Sequence, residues 1–241
     1  QDGVVLIKHG TQEEQIKARV IIGADGPHSM VGKWMRQRNT GFVHTAQYQM
    51  KLYNGLSSTE VYFSRDIPGG YGWVFPKGRT ANVGVGVDLQ FGLSPAKALN
   101  SFVDYLRQER IVHGERMGVT GGVIPVGGLV KKLRQGNMLL VGDAAGMAHP
   151  ITGAGVSNAV LCGKMAGEIA GRAVLENNQD ILVEYEEECR MLLGEPLMRA
   201  WEKRKAVETH WSDGNKELAK ALRSSWIAFE AYYKQQGVIE Q

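Results

Sequence analysis

Two apolar runs that stop in the same way constrain this chain most. One reads ARVIIGADG over residues 18–26, the other MLLVGDAAG over residues 138–146. Each contains a block of apolar residues that does not alternate with polar ones, Val20–Ile22 after Arg19 in the first and Met138–Val141 in the second, the pattern of a strand buried on both faces. Each then ends on a glycine and an acid, Gly23 with Asp25 and Gly142 with Asp143. A carboxylate at the end of a buried strand has no packing use, whereas that edge of an open α/β sheet is where ligands bind. The repetition predicts that Gly23–Asp25 and Gly142–Asp143 lie close together at one sheet edge, far apart as they are in sequence.

The second run is followed by Pro150, the turn TGAG at 152–155, and helical periodicity from about Val156 to Leu175. The start of such a helix leaves backbone N–H groups unpaired at the positive end of its dipole, which favours anionic ligands. Gly153 and Gly155 would let a planar ligand approach those N–H groups closely. A reduced flavin, negative at its N1/O2 edge, has this character. Asp143 would accept hydrogen bonds from the hydroxyls of a ribose or ribityl chain. Gly163, Ala166, Gly167 and Ala170 suit tight packing of the helix on a sheet. The competing reading is a well-capped helix with Asp143 as its cap; the whole series of strand, GDAAG, proline and TGAG favours the ligand. GADGPHS is weaker alone, since Asp25-Gly26 is also an ordinary turn. Its pairing with the second Gly-Asp end favours a nucleotide-facing role, and His28 and Ser29 are left open between solvent and ligand.

Between the two runs the pattern changes. Residues 59–64, 71–75 and 80–87 read as antiparallel strands joined by Gly/Pro turns. Ser94 and Pro95 open a helix carrying Ala98, Leu99, Phe102 and Leu106 on one face. The stretch 121–129 is extended and leads back to the first sheet, and from about Asp180 the chain is helical, ending in the aromatic SSWIAFEAYY. At the start, DGVVLIK and IKARVIIGADG read as a hairpin joined by the polar turn HGTQEEQ, with Ala18–Ile22 buried on both faces. A chain that opens in mid-sheet without a methionine reads as part of a longer protein. The expected fold is α+β or α/β: the remnant of a doubly wound domain (1–40 and 130–178), an antiparallel-sheet domain (41–129) and a helical C-terminal segment (179–241).

The insertion carries two stripes. Alternation puts Tyr71, Trp73 and Phe75 on one face of their strand. In the next, Val83, Val85 and Val87 share one face and Asn82, Gly84 and Gly86 the other. A bare glycine face marks close approach by a ligand or another backbone. The aromatics are read either as core or as the wall of a long apolar pocket.

Composition removes other classes. A net charge of +3 does not argue for nucleic acid, and Lys131, Lys132 and Arg134 read as a solvated turn. Cys162 and Cys189, the only cysteines, make neither a disulfide framework nor a four-cysteine metal site, and they suggest a reducing, cytoplasmic setting. Cys162 reads as a buried small residue. His44, His113 and His149 lack metal-ligand spacing, and no serine-centred nucleophile motif occurs. No run approaches the roughly 20 apolar residues that span a bilayer, so any membrane contact would be peripheral.

Together, PGGYGWVFPKGRTANVGVGV (68–87) and LLVGDAAGMAHPITGAGV (139–156) resemble the geranylgeranyl reductase family, flavoproteins of the p-hydroxybenzoate hydroxylase fold group. The resemblance runs from about Val4 to Leu175. It implies an FAD-dependent oxidoreductase that reduces C=C bonds of polyprenyl groups, with a prenyl lipid as substrate and NAD(P)H, a ferredoxin or a flavoprotein as electron donor. It assigns the flavin ribityl chain to Asp143 beside Gly142, the isoalloxazine surroundings to Gly153, Ala154 and Gly155, and a further cofactor contact to Asp25 and Gly26. Tyr71, Trp73, Phe75 and Pro76 resemble the segment lining the lipid cavity, with Gly84 and Gly86 beside them. It names no proton donor beyond Tyr71 as a candidate. Two features depart from the pattern. The GxGxxG that cradles the FAD pyrophosphate does not occur, which implies that this stretch alone holds FAD poorly or not at all. The arginine common after GADG is replaced by Gly32, with Lys33 next. A hydroxylase or quinone-linked dehydrogenase of the same group, or a non-catalytic binding module, are the alternatives.

Overall fold

The structure is a computed structural model and describes residues 3–211 and 215–234. In chain order it begins with β1 (Val4–His9), β2 (Gln12–Lys17), β3 (Ile21–Gly23) and α1 (Met30–Trp34). There follow β4 (Phe42–Leu52), β5 (Glu60–Tyr62), β6 (Tyr71–Lys77), β7 (Thr80–Val87), α2 (Pro95–Gln108) and β8 (Val112–Pro125). The chain ends with β9 (Arg134–Gln135), β10 (Met138–Leu140), α3 (Val156–Leu175), α4 (Leu182–Glu208) and α5 (Asn215–Ser225). It divides into two compact units, one of residues 1–41 and 125–201, the other of residues 42–124 and 202–241. The helical C-terminal stretch is therefore not a unit of its own: α4 begins in the first unit and ends in the second.

In the first unit β3 and β10 are parallel neighbours, with Ile21 opposite Met138, Ile22 opposite Leu139 and Gly23 opposite Leu140. The ladder continues one step further, where Val141 N–H donates to Gly23 O at 3.0 Å. Strand β9 pairs antiparallel on the other side of β10. Leu139, Leu140 and Val141 pack in one core with Ala166, Ile169 and Ala170 of α3 and with Leu182, Tyr185 and Leu193 of α4. Alanines at the contact let α3 sit close, whereas Gly167 faces open space. The Tyr185 hydroxyl, buried, donates to Leu140 O at 2.6 Å and so closes one acceptor of the short sheet.

The N-terminal hairpin differs from the sequence expectation. Residues read as a polar turn, Gln12 to Gln15, form most of β2, which pairs with β1 from Val4↔Lys17 to His9↔Gln12. Ala18–Ile22 is not the hairpin's second arm, since only Ile21 and Ile22 of it enter a strand, and Ile22 stays 40% exposed. The β1–β2 register rests on main-chain bonds and the exposed Lys8–Glu13 ion pair at 2.5 Å, since nearly every side chain of the pair is exposed. Apolar content therefore carried no information about which residues pair.

The second unit is built on a five-stranded sheet in the order β5-β6-β7-β4-β8. Strand β4, its longest central member, and the first half of β8 were not read from the sequence. The Thr and Gln residues of β4 alternate with buried Tyr48, Met50 and Leu52, a half-buried pattern bounded by Asn39-Thr40-Gly41 before it and Asn54-Gly55 after it. Helix α2 is capped by Ser94, whose Oγ accepts from Lys97 N–H, with Pro95 in its first turn. Its Ala98, Leu99, Phe102, Val103 and Leu106 pack on Val74, Val83, Val85 and Met50. Fully burying an aliphatic side chain of this size stabilises by about 1.5–3 kcal/mol. Gly72 is required under this contact: a Cβ there would lie 2.9 Å from the Phe102 ring. Further along, the buried Arg204 guanidinium donates to Gly69 O at 3.0 Å and pairs with Asp88 and Glu208. Val207, Trp211 and Leu218 form a small core with Phe91.

Candidate cofactor site and apolar face

The C-terminal ends of β3 and β10 meet as the paired motifs require, but the two acids are used differently. Asp25 is exposed, and its carboxylate accepts from Ser29 Oγ at 2.5 Å, Met30 N–H at 2.6 Å and Val31 N–H at 3.4 Å. Burial draws this carboxyl upward, yet the Ser29 hydroxyl and the two N–H groups outweigh it and hold it below its ordinary value. Ser29 is the buried N-cap of α1, with Oγ accepting from Gly32 N–H at 2.8 Å, which places it in the fold rather than in solvent. Gly26 takes a left-handed φ of +80° with open space around it.

Asp143 behaves otherwise. Gly142 (φ +59°) and Gly146 (φ +72°) turn the chain tightly on either side of it. Its carboxylate is half-buried and accepts no hydrogen bond from the described residues. Burial alone therefore pushes this carboxyl up, with neither cation nor donor to offset it. Its backbone oxygen is occupied, accepting from Asn39 Nδ2 at 2.8 Å. The helix-cap reading of Asp143 is set aside by α3 itself: its N-cap is Gly155, and no side chain among the described residues caps it. A Cβ at Gly155 would stand 3.3 Å from Ala148 Cα and 3.5 Å from Asp143 Oδ1, so the uncapped helix start and the unpaired carboxylate are adjacent.

His149, set apart by sequence only for lacking metal spacing, organises the turn between them. Its Nδ1 accepts from Ile151 and Thr152 N–H, both at 3.3 Å, while its backbone bonds Gly153 N–H and Ala154 O at 2.8 Å each. Burial pushes the imidazole below its ordinary value, which keeps the neutral, accepting form. Gly153 is left-handed at φ +69°. Asn158 Nδ2 donates to Met147 O at 2.8 Å and ties the first turn of α3 to the strand-end loop.

In the second unit the sheet face away from α2 carries Tyr71, Trp73 and Phe75. These rings are not core: Val74 and Gly72 turn to α2, and Phe75 is 37% exposed. Register explains the glycines. Trp73 lies opposite Gly84, and Gly84 opposite Gln47. The indole lies across Gly84 and its Nε1–H donates to Gln47 Oε1 at 3.0 Å, two strands away. A Cβ at Gly84 would fall 2.2 Å from the ring, and one at Gly86 2.8 Å from Val43. The close approach that the bare face announces is therefore made by the protein's own side chains. Trp73 stacks on Phe75 (centroids 5.8 Å apart), and Tyr71 meets Trp226 edge-on at 5.1 Å and Phe63 at 6.2 Å. Burial raises the Tyr71 hydroxyl to about 12. Pro76 continues this strand opposite Ala81.

Comparison with known proteins places this architecture. It resembles a geranylgeranyl bacteriochlorophyll reductase-like protein from Thermoplasma acidophilum, with TM-score 0.76 and 23% identity over 93% of this chain and 66% of that one. It also resembles the flavin-dependent halogenase CmlS, with TM-score 0.65 and 15% identity over 90% and 42% of the two chains. The chain thus has a fold found among flavin-dependent oxidoreductases. Residues 42–123 match the geranylgeranyl reductase catalytic domain. The digeranylgeranylglycerophospholipid reductase of Methanococcus aeolicus is 38% identical over 191 residues, 76% of this chain and 49% of that protein. That of Methanocaldococcus jannaschii is 34% identical over 231 residues, 92% and 59% respectively. The chain belongs to the geranylgeranyl reductase family and spans about half the length of the curated relatives it matches.

Proposed function

We propose that the chain is part of an FAD-dependent reductase that saturates C=C bonds in the geranylgeranyl chains of a glycerophospholipid. The observation that carries this reading is Asp143, a half-buried carboxylate without a partner among the described residues, beside the uncapped α3. Those features suit the ribityl and isoalloxazine part of FAD, because a hydroxyl donor would satisfy the carboxylate and the helix start favours a negative ring edge. No GxGxxG occurs in the sequence, so the pyrophosphate has no glycine cradle here, and the chain alone is expected to hold FAD weakly. When bound, FAD supplies the hydride chemistry.

The protein's share is position and exclusion of water. Asp143 orients the ribityl chain, and Gly153, Ala154 and Gly155 leave room for the ring. Tyr71, Trp73, Phe75 and Pro76 offer an apolar face to a prenyl chain, with Trp73 held in place over Gly84 by Gln47. Such pockets are mostly apolar with few polar anchors. Tyr71 is a poor proton donor for the reaction, since burial strengthens its hold on the proton. No helix among the described residues is long and apolar enough to cross a membrane, so contact with the lipid surface is proposed to be peripheral. The electron donor is proposed to be NAD(P)H, a ferredoxin or another flavoprotein. The test is anaerobic: the full-length protein, reduced chemically, is given a geranylgeranylated glycerophospholipid and the product weighed by mass spectrometry. Gain of two hydrogens per reacted double bond supports the reading; oxygen-dependent hydroxylation with no such gain removes it.

A further inference from the structure

Asn39 lies two residues before the first unit's N-terminal segment ends at Gly41. Its side-chain amide donates to Pro27 O at 2.9 Å, in the loop after β3, and to Asp143 O at 2.8 Å, in the loop after β10. Two carbonyl partners fix which side-chain atom is nitrogen, since oxygen there would face two acceptors. The remaining atom, Oδ1, is buried and has no partner among the described residues. A buried acceptor left unpaired is unfavourable, so the fold keeps this amide at a cost that only its two N–H bonds offset. A third loop meets the same point: a Cβ on Gly146 would lie 2.1 Å from Gly128 O and 2.9 Å from Asn39 Oδ1. Val126 N–H donates to Gly41 O at 2.9 Å and Val130 N–H to Ala145 O at 3.1 Å, which ties the returning segment to both neighbours.

We infer that Asn39 is a positioning residue of the cofactor edge: its amide clamps the two Gly-Asp loops together and so fixes where Asp143 presents its carboxylate. This rests on the reading of that edge as a flavin site. Hydrogen bonds within β3 and β10 set the strand ends but not the loops beyond them. Among the described residues, Asn39 is the side chain that bonds both loops. It touches neither carboxylate, so its effect on a ligand passes through the loop backbone.

The test uses the full-length protein with Asn39→Asp, which keeps the shape and removes both donors, and Asn39→Ala, which also removes the unpaired Oδ1. FAD titration is expected to show roughly tenfold weaker binding in both variants, as loss of two hydrogen bonds at a site edge implies. Amide hydrogen exchange without FAD is expected to quicken at Ser29, Gly146 and Met147, while the interior of α3 keeps wild-type protection. If the wild type itself does not bind FAD, the cofactor reading fails and the exchange data still decide the clamp. Variants that match a flavin-binding wild type in both affinity and loop exchange would overturn the inference. So would loss of near-UV circular dichroism in both variants, which would make Asn39 a residue of folding rather than of position.

Discussion

At the scale of single residues, two aspartates in similar sequence contexts have opposite environments. Asp25 spends its carboxylate on Ser29 and the first amides of α1, whereas Asp143 keeps its own unpaired. Removing an unpaired, desolvated carboxylate takes away no native bond. Asp143→Ala is therefore expected to leave the melting temperature unchanged or slightly raised while weakening FAD retention in the full-length protein by about tenfold or more. Thermal melts and bound-flavin absorbance check both halves, and equal flavin content in mutant and wild type would remove the assignment.

At the scale of elements, strand register does what no single residue does. Trp73 can span from β6 to Gln47 on β4 only because β7 presents Gly84 between them. Gly84→Ala puts a methyl into the indole and is expected to cost about 1–3 kcal/mol. The displaced ring should shift tryptophan emission to the red, and an unchanged spectrum with an unchanged denaturation midpoint would contradict this account. The turn before α3 makes a second prediction. His149 is held neutral by burial, its folded pKa lying below the unfolded value of about 6.5. The unfolded chain then takes up the proton first on acidification, so stability is full above that pH and falls as pH drops below it. The Asp143 carboxyl, raised, acts in the opposite sense but at the lower pH of carboxyl titration. Urea midpoints between about pH 7.5 and 5.5 should decline in the wild type and decline less in His149→Asn.

At the scale of the whole molecule, each unit has its own core, Leu139 and Leu140 with α3 and α4 in one, Val83 and Val85 with α2 in the other. The first unit holds the edge proposed for the flavin ring and ribityl chain, and the sequence has no GxGxxG to cradle a pyrophosphate. The 241-residue chain is accordingly expected to bind FAD more weakly than about micromolar, and submicromolar affinity in a fluorescence titration would overturn that.

Sequence by itself determined the elements whose cause is local. The Ser94–Pro95 start of α2, the span of α3 from Val156 to Leu175 and the strand 80–87 follow from capping and from hydrophobic period. So did the adjacency of Gly23 and Gly142, because two apolar strands that end alike share one sheet edge. What waited for the tertiary structure were choices made by non-local partners. Polar Gln12–Gln15 became a strand because β1 lies opposite it, and half-polar β4 became central because β7 and β8 flank it. The occupant over Gly84 is a ring from the neighbouring strand, and Asn39 has its role only because two loops over a hundred positions apart in sequence converge on it. A residue's propensity is written in its own neighbourhood along the chain. The partner that fills its space or takes its hydrogen bond is fixed only once distant segments have packed.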